Sequence, residues 1–360
     1  MNESKDHDEP SGRRRRLLEA INASWTTQAI AAAVELRIPE LLATAPLASE
    51  ALACAAGCDA AALRRLLVAL ASLDLVAHDD DGRFALTGSG ALLRTDVADS
   101  LAAWALFNGR HAVRVWSRLA DSVRSGRSAR TNSGGSDDFV HLDVDPAAAD
   151  LFHRAMTDLT QPIATAFAAA VDLRQARRVV DVGGGYGRLI ATVLVAYPGV
   201  HGVLFDLPHA IAAAAPQLDR VGVAGRCELV RGSFFESVPA GADVYLLKSV
   251  LHDWDDERSV TILGACRRAM ESSAGARLFV IERLAEERVG ATARDRAIAR
   301  SDLNMLVSLG GRERTEAQYR AMLCRAGLEP GRTHELAGEF SAIEAIVADR
   351  EPEQSHDPER

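Results

Sequence analysis

From Leu17 to Leu36 apolar side chains return at helical spacing in a stretch rich in alanine and leucine, which predicts an amphipathic helix. Ile38-Pro39 breaks the pattern. Ala60 to Leu73 resumes it with Arg64 and Arg65 on the polar face. The periodicity then shortens. Leu75-Val76-Ala77-His78 and Arg83-Phe84-Ala85-Leu86 flank Asp79-Asp80-Asp81-Gly82, the signature of a β-hairpin on an Asp-Gly turn. Further helical stretches cover residues 100–128, with Trp104, Phe107 and Trp116, and Ala147 to Ala170, with Phe152, His153, Met156 and Phe167; a Ser/Gly/Asp loop from Asn132 to Asp138 lies between them. Beyond this, short apolar runs at 178–182, 200–206, 226–230, 243–248 and 277–282 alternate with helical segments. That order predicts a doubly wound α/β domain, closed by an antiparallel hairpin near 332–338 and 341–348.

The chain thus divides into a polar leader (1–16) expected to be disordered, a helical, winged-helix-like module (17–100), linking helices (101–170), an α/β domain (171–348) and a disordered tail (349–360). At 360 residues there is material for two cores; 48% of residues are apolar, yet no run approaches membrane-spanning length. With a charged amino terminus and five scattered cysteines, the expectation is a reduced, cytoplasmic protein without a metal site or membrane partner. Winged-helix modules bind DNA in regulators, but a net charge of −9 and a last helix poor in exposed arginine argue against nucleic acid and for helix-mediated dimerisation. Lysine occurs only at Lys5 and Lys248, every other basic residue being arginine, so Lys248 marks a place where a compact ammonium is wanted.

Asp181-Val182-Gly183-Gly184-Gly185-Tyr186-Gly187 joins a predicted buried strand to a helix that Pro198-Gly199 stops. Glycines at the carboxyl end of a strand let a ligand press on bare backbone, and the helix amino terminus offers unpaired N–H groups. A dinucleotide site needs a small residue where Arg188 stands; Gly183, Gly185 and Gly187 instead fit the turn of S-adenosylmethionine (SAM) sites. Asp206, ending the next strand in Phe-Asp-Leu-Pro, is placed for ribose hydroxyls. Gly232-Ser233-Phe234-Phe235 follows the third strand and offers a ring and a hydroxyl to a base. The run Leu247-Lys248-Ser249-Val250-Leu251-His252-Asp253-Trp254-Asp255-Asp256 carries a histidine from strand end to helix start, above the sheet edge where ligands bind. An imidazole with an ordinary pKa near 6.5 accepts protons there at neutral pH.

With Gly-Gly-Arg-Glu-Arg-Thr at 310–315, these motifs, in this order, resemble the SAM-dependent small-molecule O-methyltransferases of the caffeate and flavonoid type, including bacterial members in antibiotic biosynthesis. The likeness spans 17–348. It implies a Rossmann-like catalytic domain behind a winged-helix-like dimerisation domain, a homodimer, and SAM converted to S-adenosylhomocysteine without a metal. Residue by residue, it implies cofactor contacts from Asp181, Gly183, Gly185, Asp206, Leu207, Gly232, Ser233, Phe234, Lys248 and Ser249; many plant members carry Asp where Ser233 stands. It implies His252 as catalytic base, flanked by Glu282 and Glu313 without saying which of the two is its partner. Asp253, Asp302, Met305 and Ser308, with Trp104, Phe107, His153 and Met156, are expected to face a small aromatic acceptor. Some members of that family that lack the histidine hydroxylate or decarboxylate their substrates while keeping SAM. His252, Glu282 and Glu313 argue against that here, and N-methylation stays open.

Overall fold

A computed structural model describes residues 10–348 except 137, 140, 141 and 143. Two compact units emerge: residues up to 117 together with 150–159, and 118–149 together with 160 onward.

In the first unit the opening helix runs Pro10–Glu35, so the leader assigned to 1–16 is helical from Pro10. The basic run Arg13 to Arg16, which reads as a solvated helix start, lies inside this helix, arginine being a good helix former. The break comes at Arg37, in a left-handed conformation with φ 57°, and Pro39 opens the short helix Ile38–Leu41 instead of ending anything. Asp59 accepts the Ala62 N–H at 2.8 Å and caps the helix Ala60–Ser72. The hairpin β1 (Val76–His78) and β2 (Phe84–Leu86) follows as predicted. Leu52, Leu63, Leu67, Leu70, Val76 and Phe84 form this unit's core. The helical stretch after residue 100 is in pieces: Ala102–Phe107, a wide π turn Asn108–Ala112, and Val113–Trp116.

The second unit is built on seven strands: β3 (Arg178–Val182), β4 (His201–Asp206), β5 (Cys227–Arg231), β6 (Val244–Lys248), β7 (Arg277–Arg283), β8 (Leu328–Glu335) and β9 (Phe340–Val347). They lie in the order β5-β4-β3-β6-β7-β9-β8, the first five parallel, with β9 antiparallel to both of its neighbours β7 and β8. The central strands read as unbroken apolar runs because both faces are covered. Val180, Val182, Tyr245, Leu247, Leu278 and Val280 enter one buried cluster, while Val179, Val244, Leu246, Phe279 and Ile281 enter the other. The order of strand addition reverses between β3 and β6, with β4 and β5 laid down on one side of β3 and β6 and β7 on the other, which opens a crevice at their carboxyl ends. The tail assigned to 349–360 lies outside the described residues.

Candidate active site

The glycine turn sits at that switch point. Gly183 has φ 70°, and a Cβ there would come within 3.0 Å of Val250 Cγ2 and 3.4 Å of Phe234 Cε1, so only bare backbone fits the turn. Asp206 pins the turn from the end of β4: Oδ2 accepts the Gly185 N–H at 2.7 Å and Oδ1 the Leu207 N–H at 2.6 Å. Asp181 lies beneath, 1% exposed, with Oδ2 accepting the Ile190 N–H at 3.2 Å; burial pushes its pKa up to about 7. It therefore holds the loop and helix together from inside. Gly232 packs under Phe205, the Ser233 hydroxyl accepts the Phe235 N–H at 3.3 Å, and the Phe234 ring meets Trp254 edge-on.

Lys248 ends β6 with its ammonium donating to Thr160 at 3.1 Å and standing 5.6 Å from the Phe340 ring. Burial and the nearby Arg283 bring its pKa down to about 8 against the pull of Glu282, Asp181 and Asp253. Ser249 takes φ 52°, a left-handed conformation unusual for a residue with a side chain, and this bend turns the chain toward His252.

His252 lies on a single 3₁₀ turn, Leu251–Asp253, and is 6% exposed. Its Nδ1 faces Glu313 Oε1 at 3.2 Å and Glu282 Oε2 at 3.5 Å, while Nε2 faces Asp253 Oδ1 at 3.5 Å. The two glutamates differ in what else they do. Glu282 Oε1 accepts the N–H groups of Val250 and Leu251, at 3.0 and 2.9 Å, and so ties down the start of the turn. Glu313 Oε1 also accepts the Ser301 hydroxyl at 2.6 Å and lies 3.8 Å from Arg283, and its backbone N–H donates to Asp302 Oδ1 at 2.9 Å.

The charges follow from these contacts. Burial resists ionisation of Glu313, but His252, Ser301 and Arg283 prevail and hold its pKa below the usual carboxylate range. Burial, with Glu313 alongside, holds Glu282 above that range. Asp253 is pushed up to about 7 by burial, with Glu282 and Glu313 adding to it. Burial also opposes a charge on His252, yet Glu282, Asp253 and Glu313 outweigh it and raise the ring to about 9. Of the two glutamates, Glu313 makes the shorter approach to Nδ1 and is the one whose contacts favour the ionised form. One donor atom from each of His252, Glu282 and Glu313 lies within 4.8 Å of the others, a spacing open to a cation, but imidazole and Arg283 already answer these carboxylates.

Of the residues expected to face the acceptor, Asp302 uses one oxygen on the Glu313 backbone, Met305 is buried, and the Ser308 hydroxyl donates to Asn304 at 3.4 Å. Trp104, Phe107 and Met156 pack around Ala103, Leu151 and Ala155 in the first unit, and His153 meets the Phe152 ring there at 5.3 Å. Sequence reasoning missed Ser301, Arg283 and Thr160, whose roles come only from tertiary placement.

A family described as the O-methyltransferase domain matches residues 116–329, and the O-methyltransferase dimerisation domain matches 18–96. A 3-amino-4-hydroxybenzoate 4-O-methyltransferase from Streptomyces cremeus is 42% identical over 88% of this chain and 85% of that protein. A phenazine O-methyltransferase from Lysobacter antibioticus is 36% identical over 91% and 95%. Human N-acetylserotonin methyltransferase, solved with SAM, superposes with a TM-score of 0.86 at 26% identity, covering 95% of this chain and 99% of that one.

Proposed function

This chain belongs to the SAM-dependent O-methyltransferases, and from that premise we propose that it methylates a phenolic hydroxyl of an aromatic secondary metabolite, with His252 as general base. The observation that carries the reading is the buried imidazole with Nδ1 turned to Glu313 and Glu282, at the carboxyl edge of the sheet beside the glycine turn. In the neutral ring, whose population grows as pH rises toward about 9, a proton held on Nδ1 leaves Nε2 as the acceptor. A phenol with pKa near 10 is a weak nucleophile at neutral pH, and removing its proton as the oxygen attacks is worth about 10²–10⁴-fold. The imidazolium so formed meets the Glu313 carboxylate, while Glu282 holds the turn in register. When bound, SAM supplies the electrophilic sulfonium methyl. Gly183 and Gly185 would cradle it, Asp206 has lone pairs left for the ribose, and Phe234 and Ser233 would meet the base. Lys248 would set the local charge near the cofactor.

The aromatic acceptor is supported by relatives named for a phenazine and an aminohydroxybenzoate. A homodimer is supported by the dimerisation domain and by Leu17, Leu18, Ile21 and Trp25, which stand 62%, 42%, 62% and 71% exposed on the first helix. Among the described residues, no helix is long and apolar enough to cross a membrane.

The test is mass spectrometry of products from protein, SAM and a panel of phenols and aryl amines, with His252→Ala beside the wild type. One methyl gained on oxygen, and far less with the variant, is the expected result. Gain of oxygen, loss of a carboxyl group, or an undiminished variant would overturn the reading.

A further inference from the structure

Arg314 heads the large side chains that are fully buried among the described residues. A guanidinium inside a protein is destabilising unless its N–H groups all find acceptors, so its surroundings say what it is for. Nη1 donates to the Leu251 carbonyl at 2.9 Å, Nη2 to the Trp254 carbonyl at 2.7 Å, and Nε to Asp256 Oδ1 at 2.9 Å. The two carbonyls belong to the residues immediately before and after the pair His252-Asp253. Its neighbours press on the same turn. The Arg312 N–H donates to the His252 carbonyl at 2.9 Å, and a Cβ on Gly311 would overlap that oxygen. Arg314 is held in place by a parallel bridge to Leu284, with the Ala285 N–H donating to its carbonyl at 2.9 Å. Leu284 lies two residues beyond Glu282, so one short register aligns the carboxylates that hold the ring with the cation that holds the backbone.

We propose that Arg314 is the positioning residue for His252: it fixes the backbone of the 3₁₀ turn from behind, while Glu313, next to it in sequence, fixes the ring. The proposal rests on the reading of His252 as base. A planar fork is required, because one group must reach two carbonyls and a carboxylate at once; an ammonium cannot. A displacement of about 1 Å at a reacting group costs roughly 100-fold in rate, whereas cofactor affinity is not touched by it.

The experiment is single-turnover methyl transfer by the full-length enzyme at saturating SAM and acceptor, with SAM affinity and acceptor KM measured alongside. Arg314→Lys is expected to slow transfer about 10- to 100-fold, with SAM affinity and acceptor KM within about threefold of wild type. Arg314→Gly is expected to regain at least about tenfold on addition of guanidinium ion, which refills the fork without touching any proton-transfer group. His252→Ala in the same assay separates the two ideas. If it is inactive while Arg314→Lys turns over at the wild-type rate, the base stands and the positioning role is refuted. If His252→Ala keeps the wild-type rate, both fall. Rate and SAM affinity lost in equal measure, with no response to guanidinium, would leave Arg314 a plain structural cation and also overturn the proposal. Should Arg314→Lys not fold, Asp256→Asn decides, since Asp256 is partly exposed and orients Nε. A slower step with unchanged KM supports the proposal, and an unchanged rate overturns it.

Discussion

Replacing Glu313 by glutamine removes one charge and little else, so its effect can be worked from the geometry. A unit charge 3.2 Å from Nδ1 interacts with imidazolium by about 5 kcal/mol at an effective dielectric near 20. That figure is a ceiling, because Ser301 at 2.6 Å and Arg283 at 3.8 Å draw on the same oxygen. Raising the ring from its ordinary 6.5 to about 9 corresponds to about 3 kcal/mol in favour of the charged form. Three carboxylates share it, so Glu313→Gln should lower the His252 pKa by about one pH unit. The base must be neutral to take a proton. In the wild type, log kcat/KM should therefore climb with pH and level near 9, and in the variant level about a unit earlier. The plateau should also fall roughly 10- to 100-fold, since the new imidazolium loses a charged hydrogen bond of about 1.5–3 kcal/mol. Initial rates of S-adenosylhomocysteine release from about pH 6 to 10 read both effects. An unmoved limb with an unchanged plateau, or a larger shift for Glu282→Gln than for Glu313→Gln, would refute the assignment of Glu313 as the ionised partner.

Asp206→Ala frees the Gly185 N–H of the glycine turn and the Leu207 N–H beyond β4, and should weaken SAM binding by about 1.5–3 kcal/mol or more, seen by calorimetry as at least a tenfold rise in Kd; an unchanged Kd would remove Asp206 from the site. Gly311→Ala drives a methyl into the His252 carbonyl, and transfer should drop by at least about 100-fold while SAM still binds, as fluorescence titration would report. Lys248 should destabilise the fold at neutral pH. Its folded pKa of about 8 lies below the free value of 10.5, so the burden is full below pH 8, where both states are protonated, and fades between 8 and 10.5. Lys248→Met is therefore expected to stabilise the fold at pH 7 more than at pH 10.5, by up to about 3 kcal/mol, read from thermal unfolding at the two pH values; a pH-independent gain would contradict that origin.

The alternation of apolar runs and glycines placed the sheet, its strand ends and the hairpins within a residue or two, apart from the last hairpin's first strand, which begins earlier at Leu328. A strand covered on both faces writes its limits directly into the hydrophobic pattern. The same pattern is silent where charge replaces it, as at Arg13 to Arg16, and where one helical stretch hides a π turn at Asn108–Ala112. His252 stood out because its position at a strand end is local information. Its partner did not: Glu313 is 61 residues away, and choosing it over Glu282 depends on a Ser301 hydroxyl and an Arg283 cation that no spacing rule connects. Asp302 shows the converse. A helix-face polar residue near the site suggested acceptor contact, whereas one of its oxygens is engaged by the Glu313 backbone.

The shared duty of Glu282 also constrains how this site could drift. One oxygen secures the amides of Val250 and Leu251 while the other looks at the imidazole, so the carboxylate cannot be retired when the imidazole goes. Losing His252 first would leave two buried acids within reach of each other without the imidazole that answers both, a step that selection would meet as instability before it met any change of chemistry. Neutralising Glu313 first removes half of that conflict. The order of substitutions matters: a lineage leaving methyl transfer should pass through an altered glutamate before an altered histidine, and ancestral variants built in the two orders should differ in whether the intermediate folds.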